Sequence, residues 1–177
     1  HEGHDHGNHD PHVWFDPQNA AAIVRVAAAQ LSEIDGANAA TYKAYADKAI
    51  AELMTLETEL QAKFEAVHDT NFVVFHDAYT HLTARFGLNP AEALTLSPEN
   101  TPSAERMAEL RADIVAEKAS CVFAAPQFDT RLVETLVEGT PAKAGVIDPL
   151  GSGFDAGGGQ YKSMMLAIAD SMQICVK

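Results

Sequence analysis

The sequence predicts an α/β fold: a four-stranded parallel sheet with helices on both faces, preceded by a long linking helix. Three observations predict it. From residue 71 onward, short β-rich runs alternate with helical stretches, which is the pattern of a parallel sheet. Each run is continuously apolar, as a strand covered on both faces should be. Before these runs lies one long amphipathic helical pattern that no glycine or proline interrupts.

Two helices are predicted ahead of the sheet, at residues 17–34 and 37–67. Asp16 is a good N-cap, Pro17 is a favoured first helical residue, and Asp35-Gly36 ends the first helix. In the second helix, apolar residues recur along one face at spacings of three and four. At 1.5 Å per residue this helix is roughly 45 Å long. It is longer than a compact domain of this size needs, so we interpret it as a link between parts of a larger molecule.

The remaining elements form one predicted lobe. Its strands are predicted at Phe72–Phe75, Ala93–Leu96, Cys121–Ala124 and Ala144–Ile147. Its helices are predicted at Ala78–Phe86, Ser103–Ala119, Thr130–Val137 and Tyr161–Met172.

Composition and motifs limit the classes of function. The 177 residues include 25 acidic and 12 basic side chains, which gives a formal net charge of −13. No basic patch is visible, which argues against nucleic acid or an anionic membrane surface as a partner. No apolar run approaches the roughly 18 residues of a membrane-spanning helix. No HExxH, CxxC or GxSxG motif occurs, so no enzymatic reaction is specified.

Two polar residues follow predicted strands at the edge where ligands bind in open α/β sheets. His76 follows the run FVVF, and Asp148 follows GVI. A nitrogen and an oxygen ligand that converge from rigid elements form half of a plausible metal site. His76 could equally be a helix-capping or core histidine, and Asp148 could be a turn residue. His81 lies about 140° around the helix from His76, so we interpret it as structural or exposed.

Five histidines stand among the first twelve residues, HEGHDHGNHDPH, and they divide into two groups. His1, His4, His6 and His9 are interleaved with glycine, asparagine and aspartate, Asp10 included, which predicts a flexible polar run without anchors. His12 is different, because it lies in DPHVWFDP between two prolines and beside Trp14 and Phe15. Prolines restrict the backbone and aromatic rings can anchor the segment in a core. The sequence therefore predicts one fixed histidine after a loose run.

The two cysteines, Cys121 and Cys175, leave two possibilities open. Cys121 begins a predicted strand and Cys175 lies near the C-terminus. They could simply be small apolar residues. A bridge between them would pin the last helix to the sheet and would imply an oxidising compartment.

The ordered combination of these segments resembles a known family. DPHVWFDP, the long helix, FVVFHDAYTHLTARFGL, SAERMAELRADIVAEKASCVFAAPQFD and VIDPLG occur in the order seen in periplasmic zinc-binding proteins of ABC transporters, the ZnuA type. The resemblance extends from Asp10 to Lys177. It implies a periplasmic receptor that takes metal in a cleft between two lobes joined by a rigid helix.

The resemblance also implies site residues. His12 and His76 stand where family members carry histidine ligands, and histidine at the latter position favours Zn²⁺ over manganese. Asp148 matches an aspartate that ligates in some members and only lies nearby in others. Cys121 and Cys175 match a disulfide pair. His1, His4, His6 and His9 match the end of a mobile loop that gathers metal.

One departure concerns the family's first histidine, which is absent together with the lobe that carries it. The resemblance therefore implies a C-terminal part of such a receptor. The predicted segments are a loop remnant with a ligand segment at 1–16, a helix of the missing lobe at 17–36, an inter-lobe helix at 37–70 and a metal-binding lobe at 71–177.

The leading hypothesis is a zinc receptor, not an enzyme, that delivers Zn²⁺ to a membrane permease. A second hypothesis is a fragment that self-associates, as a homodimer with exchanged segments, because loss of a lobe exposes apolar surface. A zinc-dependent hydrolase built on two histidines and Asp148 is the least favoured, since no general base is evident.

Overall fold

The computed structural model describes residues 10–89, 92–95, 103–116, 118–128 and 130–176. Two helices come first, α1 (Pro17–Ile34) and α2 (Ala39–Phe64). The Asp16 carboxylate accepts a hydrogen bond from the amide of Gln18, so the predicted N-cap of α1 is present. The long helix is regular over 39–64 only, and short 3₁₀ helices, Gly36–Asn38 and Glu65–Val67, replace its predicted ends.

The structure contains four parallel strands, β1 (Phe72–His76), β2 (Glu92–Thr95), β3 (Cys121–Ala124) and β4 (Lys143–Val146). They form one sheet in the order β2-β1-β3-β4. The helices between and after them are α3 (Thr80–Phe86), α4 (Ala104–Ala116), α5 (Arg131–Val137) and α6 (Gln160–Cys175). The predicted fold class is confirmed. Helix α3 begins two residues later than predicted, and the predicted end of β2, Leu96, lies outside the described residues.

Helices cover both faces of the sheet, and side chains alternate between the two faces along each central strand. One face packs against α2 and α6. This core contains Phe72, Val74, Cys121 and Phe123 from the strands, Leu56, Leu60 and Phe64 from α2, and Met165, Ile168 and Met172 from α6. The opposite face packs against α4 and α5. This core contains Val73, Phe75, Val122 and Ala124 from the strands, Leu110 and Ile114 from α4, and Val133 and Leu136 from α5. The sheet is therefore the middle of three layers.

Strand β4 corrects one prediction, that every strand is covered on both faces. It lies at an edge of the sheet, with β3 as its neighbour, and its residues are exposed or half-buried, Val146 at 49%. Within the predicted strand Ala144–Ile147, all of whose residues are described, only Ile147 is buried. Gly145 has a packing reason, because a Cβ there would lie 2.6 Å from the Phe123 ring. The small and apolar residues of β4 therefore reflect its close contact with β3 and not burial on two faces.

A disulfide joins Cys121, at the start of β3, to Cys175, at the end of α6. The bridge that the family resemblance implied is therefore confirmed. It closes a sequence separation of 54 residues, which corresponds to about 4 kcal/mol on the chain-entropy estimate. It ties α6 to the middle of the sheet. None of the described helices is long and apolar enough to cross a membrane.

Candidate metal-binding site

His76 is the last residue of β1 and lies at the carboxyl edge of the sheet, half-buried. The ring of His12 lies against it, with ring centres 5.4 Å apart. Two imidazoles on one tetrahedral zinc, with Zn–N distances of about 2.0–2.1 Å, place their ring centres roughly 5 Å apart. The structure therefore brings together the two histidines proposed from the sequence, at a spacing that suits one shared ion.

The segment that carries His12 is anchored by the two aromatic residues that follow it. Phe15 is fully buried and its ring lies 5.0 Å from that of Tyr79. The indole N–H of Trp14 donates to the carbonyl of Pro149 at 3.0 Å. The hydroxyl of Tyr161 donates to the Trp14 carbonyl at 2.7 Å. These contacts connect the segment to the loop after β4 and to α6. Distant parts of the chain therefore hold His12 against the sheet.

Asp10 lies directly behind His12. Its Oδ1 accepts hydrogen bonds from the His12 amide at 2.9 Å and from the His12 ring at Nδ1 at 2.6 Å. Burial acts to raise the pKa of the Asp10 carboxyl, but the hydrogen bonds from the amide and ring of His12 outweigh it and hold the pKa below its usual range. Asp10 is therefore ionised at neutral pH and can only accept.

Asp10 corrects the prediction that places it in the loose polar run. Its own carbonyl accepts a hydrogen bond from Nε2 of His81 at 3.0 Å. His81 is thus structural, as predicted, and its hydrogen-bond partner, Asp10, belongs to the segment that carries His12. The sequence contained a signal for Asp10, the Asp-Pro-His spacing in which an aspartate can reach the amide two residues later. His68, by contrast, pairs with exposed Asp69 and takes no part.

The His76 ring contains a buried nitrogen, Nδ1, that has no hydrogen-bond partner among the residues that the structure describes. Burial, followed by the nearby His12 ring, lowers the pKa of His76 below its ordinary value, against the opposite influence of Asp77 and Asp10. The ring is therefore neutral at physiological pH, the form that ligates metal ions. An unsatisfied buried polar atom costs about 1–3 kcal/mol.

Asp148 lies in the turn after β4, and its carboxylate oxygens are occupied by its own surroundings. Oδ1 accepts from Gln127 Nε2 at 2.7 Å and from the Leu150 amide at 3.1 Å. Oδ2 accepts from the Ser152 hydroxyl at 2.7 Å and from the Gly153 amide at 3.3 Å. Burial opposes ionisation, but these hydrogen bonds outweigh it and lower the pKa of Asp148. In this arrangement Asp148 organises a turn.

The described part of the chain contains no group of three or more His, Cys, Asp or Glu side chains close enough to hold a metal ion. The structure thus brings His12 and His76 together and does not add Asp148 to them as a third ligand. His1, His4, His6 and His9 lie outside the described residues. Phe128, which stacks on Phe75 and meets the His76 ring edge-on, is a neighbour that sequence reasoning missed.

Comparisons with known proteins place this chain in a family. The family model described as "ZnuA: Zinc-uptake complex component A periplasmic" matches residues 1–175. A high-affinity zinc uptake system protein ZnuA from Brucella abortus is 40% identical over 174 residues, covering 96% of this chain and 51% of that protein. The chain therefore spans about half the length of that relative.

Two solved structures share the fold. A laminin-binding protein (Lmb) from Streptococcus agalactiae, described as a bifunctional adhesin and metal transporter, has a TM-score of 0.82 at 26% identity, covering 96% of this chain and 65% of that one. A Zn(II)-bound AdcAII variant from Streptococcus pneumoniae has a TM-score of 0.75 at 29% identity, covering 92% and 60%. ZnuA-type proteins are transport receptors and not enzymes, so the hydrolase hypothesis is set aside. The chain belongs to the ZnuA family of periplasmic zinc-uptake components.

Proposed function

We propose that this chain contributes one lobe of a receptor that binds Zn²⁺ and delivers it to the membrane permease of an ABC transporter. The observation that carries the proposal is the His12–His76 pair. Their ring centres lie 5.4 Å apart, and the buried Nδ1 of His76 has no hydrogen-bond partner within the described part of the chain. Family membership and the zinc named in the AdcAII relative support Zn²⁺ as the cargo. Imidazole ligands favour zinc over manganese, which prefers oxygen.

The chain supplies two nitrogen ligands, and zinc normally takes four ligands. Asp148 is the proposed third ligand or a nearby acceptor, and to ligate it has to release some of its four hydrogen bonds. Water or further residues of the receptor complete the coordination. In this proposal His1, His4, His6 and His9 gather metal, and α2 links the two lobes of the receptor.

Calorimetric titration of the metal-free protein with Zn²⁺ tests the site. We expect His12→Ala and His76→Ala each to weaken binding at least about tenfold, because each removes one ligand. His68→Ala is a matched control, since His68 is exposed and pairs with Asp69 away from the site. If both site variants bind as tightly as the unchanged protein, the proposed site is wrong. Competition with Mn²⁺ tests the preference for zinc.

A second candidate, self-association, has one supporting observation. Helix α1 leaves Ile23, Val26, Leu31 and Ile34 between 44% and 82% exposed. Apolar surface of this kind is commonly covered by another protein surface. Sedimentation measured at several protein concentrations, once with zinc and once without it, tests for self-association. A monomer throughout the series dismisses it and leaves the zinc proposal unaffected.

A further inference from the structure

We propose that Asp10 is a positioning residue for metal binding: it holds the His12 ring with its proton on Nδ1, so that Nε2 is the nitrogen offered to the ion. The inference rests on the proposed function, because it assigns a role within the same site. Asp10 does not touch the metal in this proposal. It acts through His12.

The hydrogen bonds around Asp10 carry the inference. One carboxylate oxygen, Oδ1, meets both the His12 amide at 2.9 Å and His12 Nδ1 at 2.6 Å. The Asp10 side chain is only 12% exposed and that of His12 only 19%, so water competes weakly for these bonds. A carboxylate oxygen that accepts from the His12 amide can also accept from the ring, which places the ring proton on Nδ1 in this proposal. A neutral imidazole has one ring proton, which leaves a lone pair on Nε2.

The backbone of Asp10 is also held in place. His81, on α3, donates from Nε2 to the Asp10 carbonyl at 3.0 Å. Pro11, between Asp10 and His12, restricts the backbone on both sides. The carboxylate therefore reaches the ring from a fixed base and not from a freely moving chain end. The hydrogen bond from His81 and the restricted backbone at Pro11 both fix the Asp10 peptide, which makes its contact with His12 a built feature of the site.

The consequence concerns affinity. A histidine that is free to exchange its proton between the two nitrogens, and to rotate, must lose that freedom when it ligates. A carboxylate on the far nitrogen removes that loss beforehand and increases the basicity of the ligating nitrogen. Partners of this kind typically change metal affinity by about 10- to 100-fold.

Nitrogen NMR of the metal-free, histidine-labelled protein reads the His12 tautomer directly, without any metal. We expect the proton on Nδ1 in the unchanged protein and a mixture shifted toward Nε2 in Asp10→Ala. Zinc calorimetry should show Asp10→Ala weakened about 10- to 100-fold. Asp10→Asn keeps an acceptor oxygen, so it should keep the tautomer and lose less affinity. Circular dichroism checks that each variant is folded. If Asp10→Ala does not fold, the comparison uses Asp10→Asn instead.

Asp69→Ala is the matched control. It removes an aspartate that also contacts a histidine ring at Nδ1, His68 at 3.0 Å, but on the exposed surface. It should change neither the His12 tautomer nor zinc affinity. The inference is overturned if a folded Asp10→Ala protein keeps the Nδ1 proton, or binds zinc within twofold of the unchanged protein. If His12→Ala and His76→Ala also leave zinc binding intact, the proposed function fails instead, and the tautomer measurement still judges Asp10.

Discussion

Replacing Asp16 with alanine tests how the start of α1 is held to the rest of the lobe. Asp16 is 8% exposed and performs two tasks with one carboxylate. It accepts from the Gln18 amide at 2.8 Å, which caps α1. It also accepts from two guanidinium nitrogens of Arg85, both at 2.7 Å, which ties α1 to α3. The residue directly follows the segment that positions His12.

The expected loss follows from these contacts. Removing an N-cap costs about 1 kcal/mol. A two-pronged pair with arginine is stronger than an ordinary ion pair, but Arg85 is 34% exposed and keeps Glu57 at 3.9 Å. Solvent screening therefore limits the loss from this pair to about 2 kcal/mol. We expect Asp16→Ala to lower the free energy of unfolding by about 3 kcal/mol in total.

Urea unfolding with the disulfide intact measures this loss. Asp16→Asn should lose less, because its amide oxygen can still cap the helix. Arg85→Ala should lose only the ion-pair part, and the double variant should show a coupling energy of about 1–2 kcal/mol between the two residues. Asp47→Ala is a suitable control, since it removes an exposed carboxylate that pairs with Lys43 on α2. A loss below about 0.5 kcal/mol for Asp16→Ala would refute the reasoning.

Two further predictions concern the disulfide and pH. Cys121→Ala/Cys175→Ala should lower the free energy of unfolding by about 4 kcal/mol in urea, since the bridge closes a 54-residue separation, and an unchanged midpoint would contradict this. The folded-state pKa of His76 lies below its ordinary 6.5, so the unfolded chain takes up the proton first as the pH falls. The stability of the metal-free protein should therefore be retained above pH 6.5 and decline below it, and His76→Phe should show a smaller decline over the same range.

Much of the fold was readable from local patterns. The Asp16-Pro17 start of α1, the apolar runs of β1 and β3, and the alternation of strands with helices all depend on residues close together in the chain. The exception is β4, whose apolar letters predict a strand covered on both faces. An edge strand that contains glycine and alanine packs closely on its single neighbouring strand. The local sequence pattern does not indicate whether a strand has one neighbour or two.

The site was predictable only in part. Residue type and position after a strand pointed to His76, and the prolines and aromatic residues pointed to His12. The polar composition of the first nine residues predicts that Asp10 belongs to the same loose run. Its hydrogen bonds to His12 are local, but its hydrogen bond with His81 depends on where α3 brings that residue, 71 positions away.

The sequence by itself determined the α/β class, the parallel strands and the histidines available for metal, because these follow from periodicity and residue chemistry. The tertiary structure decided which of those groups can act together. It placed the rings of His12 and His76 5.4 Å apart, directed Asp10 to the back of His12, and engaged both oxygens of Asp148 in its own turn. The physical reason is that a ligand set requires several side chains to converge within a few ångströms. Such convergence depends on how distant segments pack, and nearest-neighbour patterns along the chain do not contain it.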